Sequence, residues 1–220
     1  MNLAELYANR FDAADQAWKL RVWGVLWRRV FSRYVRADDT VLDLGAGFCE
    51  FINAAQAKRK IAVDLNPRLS EFAHAGIETH CAPAQSLSFL ADGEVDVVFT
   101  SNFLEHLPNK EVLSSVVQEV RRVLRRGGTF IIMGPNIRFL PGQYWDYFDH
   151  HIALSERSVA ELLAISGFEL AEVVAQFLPY TVKSGGPRWE WLVHLYLSAR
   201  PLSSRFLGKQ FLLVARTPIA

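Results

Sequence analysis

The stretch Val41-Leu42-Asp43-Leu44-Gly45-Ala46-Gly47-Phe48-Cys49-Glu50-Phe51 decides how the rest of this chain is read. An apolar run ends at an aspartate and leucine, passes two glycines and enters a helical pattern. Open α/β folds hold nucleotide-like ligands on such a strand, turn and helix, because glycines let a ligand approach the backbone and the helix start behind it. The dinucleotide form of the turn requires a third glycine where this chain has Glu50, and a carboxylate is a poor neighbour for a pyrophosphate. A nicotinamide-dependent dehydrogenase is therefore disfavoured.

Around that turn, four short apolar runs bounded by turn or charge signals read as buried strands, at 40–44, 61–64, 95–100 and 129–133, with a weaker one at 77–81. Helical patterns lie between them. The clearest is KEVLSSVVQEVRRVLRRGG, residues 110–128, where Val112, Leu113, Val116, Val117, Val120, Val123 and Leu124 make one apolar face and Gly127 is expected to stop the helix. Strands alternating with helices argue for a parallel sheet covered on both faces. A long loop, GPNIRFLPGQYWDYFDHH, follows Met133, and a helix opens at Ser155 without the Glu that a capping box would use three residues later. Two late apolar segments, 168–178 and 210–215, flank an insertion and are expected to form an antiparallel pair at one sheet edge.

With 220 residues and half of them apolar, the chain suits one domain with additions. Its first residues carry charges where a signal peptide needs an unbroken apolar run, and no later stretch approaches a spanning helix, so a cytoplasmic location is expected. Cys49 and Cys81 are too few for a disulfide framework or a cysteine-based zinc site and read as reduced thiols. The net charge of +1 hides a division: residues 1–36 carry +4, residues 183–220 carry +5 and the middle carries −8.

Ligands of an open parallel sheet bind beyond the carboxyl ends of its strands, near the point where strand order reverses. Those ends carry Asp43, Gly45 and Gly47 on the first strand, Asp64 on the second, TSNFLEHL (100–107) on the fourth and GPN (134–136) on the fifth. A carboxylate placed like Asp64, about 20 residues after the first glycine, suits two ribose hydroxyls. In order, the segments VLDLGAG, AVDLNP, APAQSL, DVVFTSNFLEHL, RRVLRRGGTFIIMGPN and DHHIALSERSVAELLAISGFEL resemble the class I S-adenosylmethionine-dependent methyltransferases over roughly residues 38–178.

The resemblance implies a Rossmann-like α/β fold: a seven-stranded sheet, mostly parallel with an antiparallel last strand, and helices on both faces. It implies S-adenosyl-L-methionine as cofactor. Residues 1–36 would then be an N-terminal helical extension, and 37–220 a methyltransferase domain with an insertion at about 179–209 between the last two strands. By the same resemblance Gly45, Gly47 and Phe48 lie under the methionine part, Asp43 reaches the amine, Asp64 holds the ribose and Leu65 packs on the adenine. Ala84 and Gln85 lie at the adenine edge, and Asn102 and Leu104 cover the methionine side. Two positions depart from the family pattern: Cys49 stands where a third glycine is frequent, and Pro83 where an acidic residue is frequent.

Candidate acceptor-side residues are Glu105 and His106 after the fourth strand, and Asp149 and His150, read as an orienting carboxylate and a base. Tyr144, Trp145 and His151 belong to a loop whose aromatics alternate with acids, the composition of an acceptor pocket. No metal is expected, because Glu105 and His106 alone offer a divalent ion too few ligands. The acceptor is expected to be a small molecule or a lipid-linked intermediate. No nucleic-acid motif is present, and oligomeric state is not legible. The different-class alternative is a regulatory module that binds the cofactor without turnover. Residues 19–36 interleave six cations with Trp23, Leu26, Trp27, Val30, Phe31 and Tyr34, and the insertion sets Trp189, Trp191, Leu192, Leu195, Tyr196 and Leu197 beside Arg188, Arg200 and Arg205. Both suit peripheral contact with the inner face of a membrane; the competing expectation is that they pack on the domain.

Overall fold

The computed structural model describes residues 13–180, 189–200 and 202–219. Residues 1–12 of the expected extension, and residues 181–188 and 201 of the expected insertion, Arg188 among them, lie outside the described residues. Seven strands form one sheet: β1 (Thr40–Leu44), β2 (Arg59–Asp64), β3 (Ile77–Cys81), β4 (Val95–Ser101), β5 (Leu124–Pro135), β6 (Glu169–Val174) and β7 (Gln210–Arg216). Their order across the sheet is β3-β2-β1-β4-β5-β7-β6. β1 pairs in parallel with both β2 and β4, while β7 runs antiparallel between β5 and β6. Strand order thus reverses between β1 and β4, which opens a crevice above their carboxyl ends.

Two apolar layers sandwich the sheet. On one face lie α1 (Ala13–Arg29), α2 (Glu50–Ala54) and α3 (Leu69–Phe72), and on the other α4 (Lys110–Val123) and α5 (Glu156–Ile165). The Asn109 side chain caps α4 by accepting from the Val112 N–H at 2.9 Å, and Leu113, Val116, Val117, Val120 and Val123 are its buried stripe. α4 ends at Val123, four residues before the expected stop. Leu124 instead pairs with Val95 at the start of β5, and Gly127, with φ +67°, turns the chain within that strand. Here sheet pairing overrides helical periodicity. At α5 a capping box does form: Ser158 replaces the missing Glu, its hydroxyl accepting the Ser155 N–H at 3.0 Å.

α1 settles half of the membrane expectation, against it. Leu26, Trp27, Val30 and Phe31 are buried. Trp23 and Phe31 join Phe51 and Phe99 in an aromatic cluster whose Phe51 and Phe99 rings stack 3.7 Å apart. Each such side chain contributes about 1.5–3 kcal/mol by leaving water, so this face is core. Three of the six cations of residues 19–36 pair within the chain, Lys19 with Glu50 at 3.7 Å, Arg28 with Glu190 at 3.5 Å and Arg33 with Glu172 at 2.9 Å. The short helices α6 (Glu190–Ser198) and α7 (Leu202–Leu207) differ: Trp189, Trp191, Leu195, Leu202, Phe206 and Leu207 are all exposed.

Candidate active site

The crevice floor is the glycine turn. Gly45 has φ +72° and its N–H donates to the Val63 carbonyl at 2.9 Å, which lashes the turn to β2. A Cβ on Gly45 would sit 2.4 Å from the Phe103 ring, so the residue following Asn102 closes down on this glycine and only glycine fits. Gly47 has φ +52° and nothing within 4 Å of where its Cβ would be. One glycine is therefore covered by protein and the other faces open space. Cys49 keeps the left-handed conformation of the glycine frequent at its position, with φ +59°, and is buried, its Sγ 3.9 Å from the Leu69 carbonyl oxygen. Glu50 follows in the first turn of α2 with Lys19 as its counter-charge.

Two carboxylates flank the turn. Asp43 is buried at the end of β1, and burial first, then the charges of Glu50 and Asp64, push its carboxyl well above the ordinary range. Among the described residues no ion pair holds it ionised, and only the Ile52 backbone hydrogen bond works in that direction. Asp64, at the end of β2, accepts the Gly47 N–H and the Asn66 N–H, each at 2.8 Å, on different oxygens. Those bonds tie the turn to the end of β2 and leave each oxygen able to accept a further hydrogen bond. Leu65 beside it is 54% exposed, a large apolar side chain uncovered at the rim. Ala84 is buried and Gln85 exposed on the segment after β3, and Phe48 packs edge-on against Phe72 at 4.8 Å. Asn102, at the end of β4, has φ +48°, and its Oδ1 is buried with no hydrogen-bond partner. A strained asparagine with an orphaned acceptor marks a place where a ligand donor belongs.

Across the crevice, Leu104 is buried and Glu105 is 1% exposed. The Glu105 carbonyl accepts the N–H groups of His151 and Ile152 at 2.9 and 3.2 Å, which staples the 149–152 segment onto the end of β4. That staple brings Asp149 to His106: its Oδ2 lies 3.2 Å, and its carbonyl oxygen 3.0 Å, from His106 Nδ1. Asp149 lies in a turn closed by the His150 N–H donating to the Tyr147 carbonyl at 3.1 Å, and it reaches His106 from 43 residues away in the chain. Burial opposes charging of His106, but Asp149 and Glu105 outweigh it and raise its pKa. Glu105 is likewise raised, chiefly by burial. The His150 ring sits edge-on to His106 at 4.9 Å and stacks with Tyr147 at 5.0 Å.

Tyr144 also departs from the expectation of a pocket wall. It is fully buried, its hydroxyl donating to the Ile152 carbonyl at 2.6 Å and accepting from the Leu154 N–H at 3.1 Å. It fastens the loop from beneath. Trp145 is 51% exposed and the His151 side chain is exposed. Sequence reasoning missed Phe103, which carries no signal of its own, and Asn136. The latter is buried, and its Nδ2 donates to Glu156 at 2.6 Å and to the Ala175 carbonyl at 2.9 Å, anchoring the start of the loop. A separate cleft of about 710 Å³, lined by Arg121, Arg126, Ile165 and Pro218, lies at the opposite end of β5, remote from these residues.

A family model described as a methyltransferase domain matches residues 42–132, from β1 through β5. A chain of Mycolicibacterium smegmatis described as a probable S-adenosylmethionine-dependent methyltransferase is 29% identical over 168 residues, 74% of this chain, and this chain spans 64% of that relative's length. Among solved structures, an S-adenosylmethionine-dependent methyltransferase of Archaeoglobus fulgidus matches with a TM-score of 0.68 and 19% identity over 90% of this chain and 94% of its own. A structure of the Trm112 methyltransferase activator complex of Haloferax volcanii matches with a TM-score of 0.70 and 19% identity, over 97% and 98%. With the strand order, the antiparallel β7 and the glycine turn at the switch point, these likenesses show a methyltransferase-domain match over residues 42–132 and the fold of S-adenosylmethionine-dependent methyltransferases.

Proposed function

We propose that this chain transfers the methyl group of S-adenosyl-L-methionine to an oxygen, nitrogen or carbon nucleophile of a small-molecule or lipid-linked acceptor. The observation that carries the reading is the open space over Gly47, ringed by a buried unneutralised Asp43, the double acceptor Asp64, the exposed Leu65 and the orphaned Asn102 oxygen. These suit the cofactor's parts: Asp43 the ammonium, Asp64 the ribose diol, Leu65 with Ala84 and Gln85 the adenine, and Gly47, Phe48, Asn102 and Leu104 the methionine chain, with Gly45 packed beneath Phe103. Asn102 Oδ1 accepts a hydrogen bond that the protein itself does not supply. When bound, the cofactor supplies a methyl group already activated on a sulfonium.

The protein's own work is alignment, exclusion of water and management of the acceptor's proton. Residues 37–220 form the catalytic unit in this reading, with an insertion at about 179–209 between the last two strands, and residues 1–36 an N-terminal helical extension. Glu105, His106, Asp149 and His150 receive the acceptor's proton, Trp145 and His151 face it, and Tyr144 holds their loop. The exposed apolar face of α6 and α7, with Arg205 on it, favours an acceptor presented at a lipid surface. Among the described residues no helix is long and apolar enough to cross a membrane.

Calorimetric titration with S-adenosyl-L-methionine tests the cofactor assignment: it binds, and Asp64→Ala weakens it by about 1–3 kcal/mol through lost charge-assisted bonds. Equal binding by both proteins sinks the assignment. Formation of S-adenosylhomocysteine in the presence of acceptor extracts distinguishes an enzyme from a module that binds the cofactor without turnover.

A further inference from the structure

The acceptor-side cluster holds a geometry that proton transfer alone does not require. Glu105, His106 and His150 bring one ligand-type atom each to within 4.8 Å of one another. Glu105 is 1% exposed and its Oε1 has no hydrogen-bond partner, yet it points at His106 Nε2 from 3.9 Å. His106 Nδ1 is occupied by Asp149, through both the carbonyl oxygen at 3.0 Å and the carboxylate at 3.2 Å. A proton on Nδ1 therefore leaves the Nε2 lone pair directed at the carboxylate. Two electron-rich atoms facing one another in a buried site need something positive between them, and the gap admits a proton on Nε2 or a metal ion. A histidine whose far nitrogen donates to a carboxylate is also the usual outer-shell arrangement of a metal-ligating imidazole, since it fixes the tautomer and raises basicity.

We infer that Glu105 Oε1, His106 Nε2 and a ring nitrogen of His150 form a mononuclear site for a divalent first-row transition-metal ion, with Asp149 as the outer-shell partner of His106. Two imidazoles and one carboxylate suit zinc or iron over magnesium and calcium, which prefer an all-oxygen shell. Ligand atoms around tetrahedral zinc lie about 3.3 Å apart, given bonds of about 2.0–2.1 Å. The observed 3.9 Å between Nε2 and Oε1 closes to that with a modest rotation of the Glu105 carboxylate. Three protein ligands leave a coordination position for the acceptor, so with the ion bound an acceptor hydroxyl beside the methyl donor would be acidified and lose its proton to solvent, whereas without the ion the same side chains receive that proton. That use of the site rests on the methyltransferase reading; the binding of the ion does not. Sequence reading expected no metal because it had only the adjacent Glu105 and His106; the third ligand arrives from 44 residues further along, carried by the staple at the Glu105 carbonyl.

The test uses the full chain stripped with chelator and dialysed, titrated with Zn²⁺ by calorimetry and with Co²⁺ by visible absorption, without cofactor. One equivalent should bind with a dissociation constant of micromolar or below, and the Co²⁺ bands should have the intensity of a four- or five-coordinate nitrogen and oxygen site. His150→Ala and Glu105→Gln should each weaken Zn²⁺ at least tenfold, while His74→Ala, at an exposed histidine outside the site, should not. Circular dichroism and S-adenosyl-L-methionine binding by each variant report whether it is folded. If Glu105→Gln misfolds, loss of the Co²⁺ bands in folded His150→Ala carries the test. Wild type that binds Zn²⁺ no tighter than folded His150→Ala overturns the site. Metal binding without cofactor binding would uphold it and refute the methyltransferase reading instead.

Discussion

Gly45 and Gly47 both have positive φ, yet they face different surroundings, and alanine at each separates the folding role of the turn from its ligand role. Alanine in the left-handed region costs about 1–2 kcal/mol at either position. At Gly45 the added methyl would sit 2.4 Å from Cγ and 2.8 Å from Cβ of Phe103. The Cβ contact involves the stiff root of the side chain, so the loop after β4 must move, adding about 1–3 kcal/mol of overpacking. At Gly47 the methyl meets no protein atom within 4 Å. The expected destabilisation is thus about 2–5 kcal/mol for Gly45→Ala and about 1–2 kcal/mol for Gly47→Ala. For a chain of this length each kcal/mol shifts the unfolding midpoint by about 2–4 °C. Cofactor affinity should respond in the other sense: Gly47→Ala puts a methyl where the methionine chain approaches the backbone and should weaken binding at least tenfold in a protein that remains folded. Differential scanning calorimetry and titration calorimetry on the two variants read both quantities. Gly47→Ala that binds S-adenosyl-L-methionine like wild type would refute the placement of the cofactor over this turn, and equal midpoints for the two variants would refute the argument from Phe103. Gly45→Ala combined with Phe103→Ala should recover part of the lost stability, because the overpacking is shared between them.

Asp43→Asn should stabilise the cofactor-free protein at neutral pH and weaken the cofactor. Burial raises the folded pKa of Asp43, so the folded state binds a proton more readily than the unfolded chain between the ordinary carboxylate value and the raised one, and this contribution to stability falls as pH rises through that window. The neutral isostere removes the penalty, which thermal melts across pH should show as a midpoint several degrees higher at pH 7 and little changed at low pH. For the same reason cofactor affinity in the wild type should increase with pH as Asp43 ionises to meet the ammonium; a flat profile would count against that pairing. Tyr144→Phe should cost about 1–3 kcal/mol by stranding the buried Ile152 carbonyl and Leu154 N–H, and should lower turnover with cofactor affinity unchanged. An unchanged melting midpoint would contradict the anchoring role.

The glycine-turn side of the crevice was legible in the sequence because its determinants are local. Asp43, Gly45 and Gly47 sit on one strand and turn, Asp64 and Leu65 close the next strand, and the alternation of apolar runs with helical stripes announces a parallel sheet whose strand ends carry them. Short-range geometry alone puts each of these at the same edge. The local signals failed where long-range pairing competed with them: α4 stops at Val123 since Leu124 has a strand partner in Val95, and the aromatic stripe of α1 reads as lipid-facing until Phe51 and Phe99 are seen to cover it. The side that carries Glu105, His106 and His150 belongs to tertiary structure. Asp149 and His150 are neighbours in the chain, but the hydrogen bonds from His151 and Ile152 to the Glu105 carbonyl turn Asp149 onto His106 and set His150 beside it. Periodicity reports which face of its own element a side chain occupies. Which distant residue waits on that face is decided only when the loop is tied to the end of β4.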